Sequence, residues 1–409
     1  MVEVKTLQPG SKIGVIGGGQ LGRMLAMAAR YMGYRVIVLD PDPDCPAGQV
    51  ADEQIVAKYE DRDAARDLAR RADVVTYEFE NVDAGAVEGA EEAGRVLPSS
   101  QVLRTSQHRV REKSAVTAAG FSTAPFMAVS READVEAAVR TVGLPGVLKT
   151  AMMGYDGKGQ AVVHSLLEAQ AAYRELQGRA GGSKPHPRAS GPARELDNAD
   201  TGAVELIYER FVQFTKELSV ICARDQSGRT VTFPCTENVH RKGILDVSIA
   251  PARVSAKVAD EASAIASGIA QRLGVTGLMT VEMFLAADGQ VLVNELAPRP
   301  HNSGHWTIEG CRTSQYEQLV RVLCGLPLGA VDVARPTVMV NLLGDAWTEA
   351  GGAPDFAAAL NVPGVSLHIY GKTEARPGRK MGHLTAVAGD ADLALSRALE
   401  ARRRFTRTL

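Results

Sequence analysis

The chain has few cysteines, no surplus of either charge and no long apolar run, and each shortage removes a class of protein. The five cysteines, Cys45, Cys222, Cys235, Cys311 and Cys324, are odd in number, dispersed, and form no C-x-x-C pair. That excludes a disulfide framework and a structural zinc site and leads to the expectation of a reducing, cytoplasmic setting. Lys and Arg total 46 against 48 Asp and Glu, a net charge of -2. No general attraction to nucleic acid or acidic membranes follows, so binding of a polyanion has to be local. No apolar stretch nears membrane-spanning length, and the first residues lack a basic, apolar, small-residue order of signal type. Neither nucleic acid nor membrane is expected as a partner. What is present, 45% hydrophobic and 23% charged residues over 409 positions, suits a globular enzyme of two or three domains.

The most informative stretch runs from Met279 to Trp306, MTVEMFLAADGQVLVNELAPRPHNSGHW. Its first half alternates apolar residues on both sides of Asp288-Gly289, the pattern of a β-hairpin. With Asp288-Gly289 as a two-residue loop, Ala287 faces Gln290 and Glu282 falls opposite Glu295. Facing carboxylates repel, and a divalent cation between them removes the repulsion. Oxygen ligands without His or Cys favour Mg²⁺ over Zn²⁺. The competing reading is an exposed hairpin with solvated glutamates. Pro298, Arg299, Pro300, His301, Asn302 and Ser303 follow at once. Alternate prolines hold this strip extended, and its Arg, His and Asn suit an anionic substrate meeting a metal-nucleotide. A proline-rich loop closing the domain is the plainer alternative.

From residue 12 to 100, strand and helix signals alternate. The strand Ile13–Ile16, the run Gly17-Gly18-Gly19-Gln20-Leu21-Gly22 and a helix of Leu, Met and Ala form a βαβ start with G-x-G-x-x-G. Asp40 ends the next strand, roughly where a nicotinamide cofactor's ribose would be held. Such glycines also offer N–H groups to any phosphate. A third strand, Asp73 to Tyr77, delivers Glu78 and Glu80 to its carboxyl end, as ligand contacts or as a polar strand end.

A helical pattern from about Ser106 to Ala119, with Arg109 and Lys113, opens a second unit. Strand Val147 to Thr150 carries Lys149 and leads into AMMGYDGKGQ, a glycine- and lysine-bearing loop before the strand Ala161 to Val163. Its N–H groups and charge could wrap phosphates. It lacks the G-K-[ST] ending and following helix of a Walker A loop, and a glycine-rich hairpin tip would look similar. Residues 179–202 are Gly-, Pro-, Ser- and Ala-rich and read as a surface excursion without a catalytic role. Alternating strands follow at Val204 to Val212, Glu217 to Ala223 and Arg229 to Pro234, then a helix after Ala256 up to Gly274, and one from Thr313 to Cys324. Beyond Pro336 lie strands near Val338 to Leu343, Ser366 to Tyr370 and His383 to Val387, and a final helix. Between them, Lys372 and the run RPGRKMGH cluster cations around glycines and Pro377, a pattern better suited to a phosphate pocket than to a solvated face.

Taken together, the glycine-rich loop between strands, Lys149, the run Glu209-Arg210-Phe211-Val212 and the glutamate hairpin resemble the ATP-grasp superfamily. GGGQLGRM, YEFENV, GYDGKGQ, ENVH, NELAPRPHNSGHW and GRKMGH narrow the resemblance to the 5-(carboxyamino)imidazole ribonucleotide synthases of purine biosynthesis, over almost the whole chain. The resemblance implies an α/β and α+β, ATP-grasp fold: an N-terminal Rossmann-like domain at 1–103, an ATP-grasp domain at 104–334 with a mobile lid at about 125–212, and a small C-terminal α+β domain at 335–409. It implies ATP and Mg²⁺ as cofactors and 5-aminoimidazole ribonucleotide and bicarbonate as substrates; a homodimer is the expected assembly.

By that resemblance, Arg109, Lys149, Gly154, Tyr155, Asp156, Gly157, Lys158, Gly159, Gln160 and His240 contact ATP. Glu209, Arg210, Phe211 and Val212 line the adenine pocket through backbone groups, and Glu217 holds the ribose. Glu282 and Glu295 bind Mg²⁺, with Asn294 beside them. The ribonucleotide sits among Gln20, Leu21, Glu78, Tyr155, Asp156, Arg299, His301, Asn302, Lys372 and Arg379, the last two on its 5′-phosphate. Lys149, Arg299, His301 and Asn302 form the catalytic group with Asp156, which manages the proton of the attacking amine. The implied reaction makes carboxyphosphate from bicarbonate and ATP, and the amine captures it or the CO₂ it releases. A closing, glycine-hinged loop would shield that labile species from water. Three rivals remain. A formate-dependent glycinamide ribonucleotide transformylase typically has Glu where Gln20 stands and lacks the GRKMGH ending. A nicotinamide-dependent oxidoreductase would leave the glutamate hairpin without a task. A catalytically dead nucleotide sensor is at odds with retention of both glutamates and Lys149.

Overall fold

The computed structural model describes residues 6–152, 159–182 and 204–407. Three sheets organise them. The N-terminal sheet contains β1 (Lys12–Ile16), β2 (Arg35–Leu39), β3 (Glu53–Ile55) and β4 (Val74–Tyr77), all parallel in the order β3-β2-β1-β4. β1, β2 and β4 are near-continuously buried, with Val, Ile and Leu predominant in β1 and β2 and Val74-Val75-Thr76-Tyr77 forming β4, as expected of parallel strands covered on both faces. The helix Gln20–Tyr31 follows β1 and points its N-terminus at the carboxyl end of this sheet.

A second sheet is formed by β5 (Phe126–Val129), β6 (Gly146–Thr150), β7 (Gln160–Val163) and β8 (Leu206–Arg210), in the order β5-β8-β6-β7. The glycine-rich segment joins the antiparallel pair β6 and β7, as its position between two strands implied. The helix Leu166–Gly182 runs four residues into the segment expected to begin the excursion at 179. The rest of that excursion, His186 included, lies outside the described residues.

The third sheet holds β9 (Phe214–Arg224), β10 (Thr230–Thr232), β11 (Thr236–Arg241), β12 (Ile244–Ala250), β13 (Gly277–Ala286), β14 (Val291–Ala297), β15 (Thr337–Leu343), β16 (Val365–Ile369) and β17 (Lys380–Val387). Its order is β14-β13-β9-β11-β12-β15-β17-β16, with β10 beside β9. Pairing of β12 with β15 makes one continuous sheet out of the hairpin region and the C-terminal segment. Strands β11 and β12 were not anticipated. They form a hairpin turned at Lys242 and Gly243, both in the left-handed region. The helix expected from about Ser106 to Ala119 is found at Arg109–Ala118, with the His108 ring capping it by accepting from the Arg111 amide, and a separate short helix, Ser100–Ser106, precedes it.

Period-two alternation decides which face of the large sheet does what. Leu218, Val220 and Cys222 of β9 and Met279, Val281 and Met283 of β13 point to one side. There the helix Ala256–Arg272 covers them with Ala262, Ile265, Ala266, Ile269 and Ala270, an apolar stripe at helical spacing. Burying each large side chain of this layer contributes roughly 1.5–3 kcal/mol. The opposite face of the same strands carries Glu217, Ser219 and Glu282, so the core layer holds the polar face rigidly from behind. Among the described residues, no helix is long and apolar enough to cross a membrane.

Candidate active site

The hairpin β13–β14 brings Glu282 and Glu295 into register as direct partners. It does so by a different route from the one expected. The loop has three residues, Ala287, Asp288 and Gly289, because the Ala286 amide donates to the Gln290 carbonyl and Gly289 takes a positive φ of 89°. The resulting one-residue offset is cancelled by a bulge: Met283 faces Val293 while Glu282 faces Glu295, leaving Asn294 as the extra residue. The bulged Asn294 carbonyl accepts a hydrogen bond from Lys113 Nζ at 3.1 Å.

Cations gather around this pair. Arg109 Nη1 lies 3.2 Å from Glu295 Oε2, and the guanidinium's pKa is pushed up because Glu295, Glu112 and Glu209 outweigh the effect of burial. Lys149 on β6 and Lys113 on the helix Arg109–Ala118 share one carboxylate oxygen of Glu209, at 3.0 and 3.3 Å. Burial alone would raise the Glu209 carboxyl, but the two ammonium groups hold it down to about 2. One carboxylate serves two lysines, so neither has a full counter-charge. Burial, with Lys113 and Arg109 nearby, accordingly draws Lys149 below the usual lysine range despite Glu209. Lys113 was not among the expected site residues. Its signal is helical spacing, four positions after Arg109 on the same face.

Glu209 therefore turns its side chain to the lysines. Of the neighbouring backbone amides, Arg210 donates to Pro125 and Phe211 to Pro145. Gln160 pairs with Lys149 across β6 and β7, and Gly159 accepts from Thr150. Glu217 on β9 contacts His240 Nδ1 at 2.8 Å. Burial acts to lower the His240 pKa, but the Glu217 hydrogen bond and the charge of Glu282 raise it. Gly154, Tyr155, Asp156, Gly157 and Lys158 lie outside the described residues.

After β14 the strip is extended as far as His301 and then makes a short 3₁₀ turn, Asn302–Gly304. Arg299 is ion-paired with Glu80. Burial would raise the Glu80 carboxyl, yet the Arg299 charge and hydrogen bond hold it to about 2. His301 Nε2 lies 3.0 Å from Glu282 Oε1. Asn302 is buried, and neither atom of its side-chain amide has a partner among the described residues. An orphaned buried amide is costly and points to a ligand that completes it. Among the described residues Glu282 and Glu295 each use one oxygen, on His301 and Arg109 respectively, so the second oxygen of each could serve a cation. Two carboxylates suit Mg²⁺, which fills its remaining positions with water and substrate phosphates.

The N-terminal loop holds an anion of its own. Glu78 accepts from the amides of Gly19 and, at 2.7 Å, Gly22. Gly17 has a φ of 105°, and a Cβ there or at Gly19 would run into the Glu78 side chain. Gln20 opens the helix Gln20–Tyr31 and Leu21 is buried beneath it. Asp40 is fully buried and accepts from Gly18 N (2.6 Å), Asp42 N (2.9 Å) and Tyr59 Oη (2.5 Å). Those bonds remove it as a ribose ligand and overturn the nicotinamide reading of this loop. In the C-terminal segment, Lys372 donates to the Lys380 carbonyl and Arg379 to that of Glu374. Gln49 donates to the Gly371 carbonyl at 3.0 Å and also accepts from Arg23 of the helix Gln20–Tyr31. The Gly371-Lys372 turn thus lies against the N-terminal unit.

Comparison with known proteins matches this architecture along the chain. Residues 11–107 match the ribonucleotide synthetase preATP-grasp domain, 114–316 the ATP-grasp domain, and 337–397 the phosphoribosylaminoimidazole carboxylase C-terminal domain. The N5-carboxyaminoimidazole ribonucleotide synthase of Bacillus subtilis (strain 168) is 44% identical over 379 residues, covering 93% of this chain and 92% of the relative. The enzyme of that name from Brucella melitensis is also 44% identical, over 93% and 98%. A crystal structure of an N5-carboxyaminoimidazole ribonucleotide synthetase with ADP superposes with a TM-score of 0.86 at 41% identity, over 97% of each chain. An Aspergillus clavatus synthase in complex with ADP and 5-aminoimidazole ribonucleotide superposes with a TM-score of 0.83 at 30% identity, over 97% and 99%.

Proposed function

Because this chain belongs to the N5-carboxyaminoimidazole ribonucleotide synthase family of ATP-grasp enzymes, we propose that it carboxylates 5-aminoimidazole ribonucleotide, using ATP and bicarbonate, in purine biosynthesis. The observation that carries this reading is a convergence in one run of chain. Glu295, ready for a hard cation, is followed within seven residues by Arg299, His301 and Asn302, whose buried amide has no partner among the described residues.

The reaction is two displacements. A bicarbonate oxygen bonds to the γ-phosphorus as its bond to the ADP oxygen breaks, giving carboxyphosphate. The acceptor amine then bonds to the carboxyl carbon, phosphate leaves, and the amine proton passes to a base. Glu282 and Glu295 would hold Mg²⁺, which supplies charge neutralisation at the phosphates. Lys149, Lys113 and Arg109 would exchange carboxylate contacts for phosphate oxygens and stabilise the charge of phosphoryl transfer. Glu217 and His240 sit on the same face for the nucleoside. Arg299, His301 and Asn302 would orient the acceptor, with Gln20, Leu21 and Glu78 on its other side. Lys372 and Arg379 would take its 5′-phosphate, a role supported by the turn at Gly371 lying against the unit that carries Gln20. Asp156 is assigned as the base on the family resemblance alone.

The same reading divides the chain at 1–103, 104–334 and 335–409 and takes a cytoplasmic homodimer as its working form, which sedimentation equilibrium would check. Its test is ADP release with substrates supplied singly and together. ATP with Mg²⁺ alone should turn over slowly, and 5-aminoimidazole ribonucleotide with bicarbonate should raise the rate strongly. Formate with glycinamide ribonucleotide should do nothing. Acceptor-driven ADP release without an acid-labile, bicarbonate-dependent product would sink the assignment.

A further inference from the structure

His301 is gripped more elaborately than a substrate contact needs. Gln315, fully buried, clamps its backbone from both sides: Oε1 accepts from the His301 amide and Nε2 donates to its carbonyl, each at 2.8 Å. The ring then enters a chain of side chains crossing the polar face of the large sheet. Ser248 Oγ on β12 donates to Asn238 Oδ1 on β11 at 2.8 Å. Asn238 Nδ2 donates to Ser219 Oγ on β9 at 2.9 Å. Ser219 Oγ lies 2.8 Å from Ser303 Oγ, and Ser303 Oγ lies 2.8 Å from His301 Nδ1. The far ring nitrogen, Nε2, meets Glu282 of β13, the strand next to β9. Ser248, Asn238, Ser219 and Ser303 are all buried.

Such a chain could in principle run either way, because every hydroxyl both gives and accepts. Two fixed groups remove the choice. The Ser303 backbone amide, which can only donate, lies 3.3 Å from His301 Nδ1. The Glu282 carboxylate, which only accepts when ionised, faces Nε2. Nδ1 must therefore accept and Nε2 must carry the proton. The hydroxyl of Ser303 then donates to Nδ1, that of Ser219 donates to Ser303, and the Asn238 amide is oriented as found.

We infer that Ser303, Ser219, Asn238 and Ser248 are positioning residues that hold His301 in the Nε2–H tautomer, so that His301 serves Glu282 as a hydrogen-bond donor and does not take the proton of the acceptor amine. The second half of this statement rests on the carboxylation reading. The tautomer itself does not. It also gives a task to the ENVH motif beyond its histidine, since Asn238 is the one amide in the chain of hydroxyls and its two ends, donating to Ser219 and accepting from Ser248, agree with the direction the ring requires.

The test is nitrogen NMR of the histidine rings in protein labelled with ¹⁵N-histidine, free of metal and substrates, with His301→Gln identifying the signals. His301 should show Nε2 at the protonated position and Nδ1 at the unprotonated one. A protonated Nδ1 overturns the inference, whatever the enzyme carboxylates. Asn238→Asp sharpens the test, because a carboxylate accepts from both serines. Ser219 then turns its hydroxyl to residue 238 and no longer donates to Ser303, while the Ser303 amide and Glu282 still fix which ring nitrogen carries the proton. The two nitrogen signals should keep their order, the Nδ1 signal should move as the Ser303 hydroxyl loosens, and the Mg²⁺ concentration needed for half-maximal ADP release should rise about 10-fold, the scale for disturbing a partner that orients a metal ligand. Ring shifts identical to wild type in folded Asn238→Asp protein overturn the relay. Should that variant fail to fold, the wild-type shifts still decide the tautomer.

Discussion

Two parts of the molecule present charge to a prospective ligand in opposite ways. At the N-terminal loop, glycine N–H groups at a helix start form a cradle for an anion, and the protein fills it with Glu78. At the hairpin, two carboxylates are proposed to form a cradle for a cation, and among the described residues one oxygen of each is bound, by His301 and Arg109. The first feature is the better known motif, and the second is the one proposed to carry phosphate chemistry. A phosphate entering the glycine loop would have to displace a buried carboxylate from its amide bonds. A metal-nucleotide entering the hairpin meets oxygens already in place. A motif is therefore informative only together with the group that occupies it.

Substitutions that break the hairpin side should have the largest effect. Glu282→Gln or Glu295→Gln should abolish ADP formation without loss of the fold, since a neutral amide is a poor Mg²⁺ ligand; near-normal turnover at ordinary magnesium would refute the metal assignment. Lys149→Ala should lower kcat by roughly 10²-fold, the scale for one charge partner in the transition state. Steady-state assays with saturating ATP would read it.

The C-terminal cations sharpen the comparison, because they should affect one substrate only. Lys372→Ala or Arg379→Ala should raise the KM for the ribonucleotide about ten- to a hundredfold, the equivalent of about 1.5–3 kcal/mol for a charge-assisted hydrogen bond. The KM for ATP should stay near its wild-type value. Equal weakening of both would make the C-terminal segment a support and no more.

Acidification tests the buried pairing at Glu209. Its carboxyl is depressed from 4.5 to about 2 in the folded protein, so it contributes stability above pH 4.5 that is lost as pH falls towards 2. The full effect is about 3 kcal/mol. Denaturant melts at pH 6 and pH 3 should show a smaller acid-dependent loss in Glu209→Gln than in the wild type. The smallest change belongs to the excursion: replacing residues 184–199 with a short Gly/Ser linker should leave turnover close to wild type, because loop length alters closure entropy only slowly.

Much of this was legible in the residues, though not always for the right reason. Glu282 and Glu295 do face each other, but the predicted two-residue loop is a three-residue loop, and the bulge at Asn294 restores the register. Turn chemistry reports local geometry and is blind to a compensating bulge five residues away. The N-terminal βαβ order was plain because parallel buried strands leave continuous apolar runs. Its occupant was not, since nothing in GGGQLG says that Glu78, 56 residues beyond Gly22, returns to it. β11 and β12 were missed because Lys242-Gly243 is not a usual hairpin pair, and with them went the role of Asn238. Lys113 stood in view on the same helical face as Arg109, but a buried lysine is recognisable only when its carboxylate partner, Glu209 from a distant strand, is known.

The most direct test of the contrast between the two cradles is electron paramagnetic resonance of Mn²⁺, titrated into the protein in the presence of ATP. Wild-type protein and Glu78→Gln should both show a tightly bound, nucleotide-dependent Mn²⁺ signal, and Glu282→Gln and Glu295→Gln should lose it. Retention of that signal in the two hairpin variants, or its loss in Glu78→Gln alone, would contradict the placement of the metal-nucleotide at the hairpin.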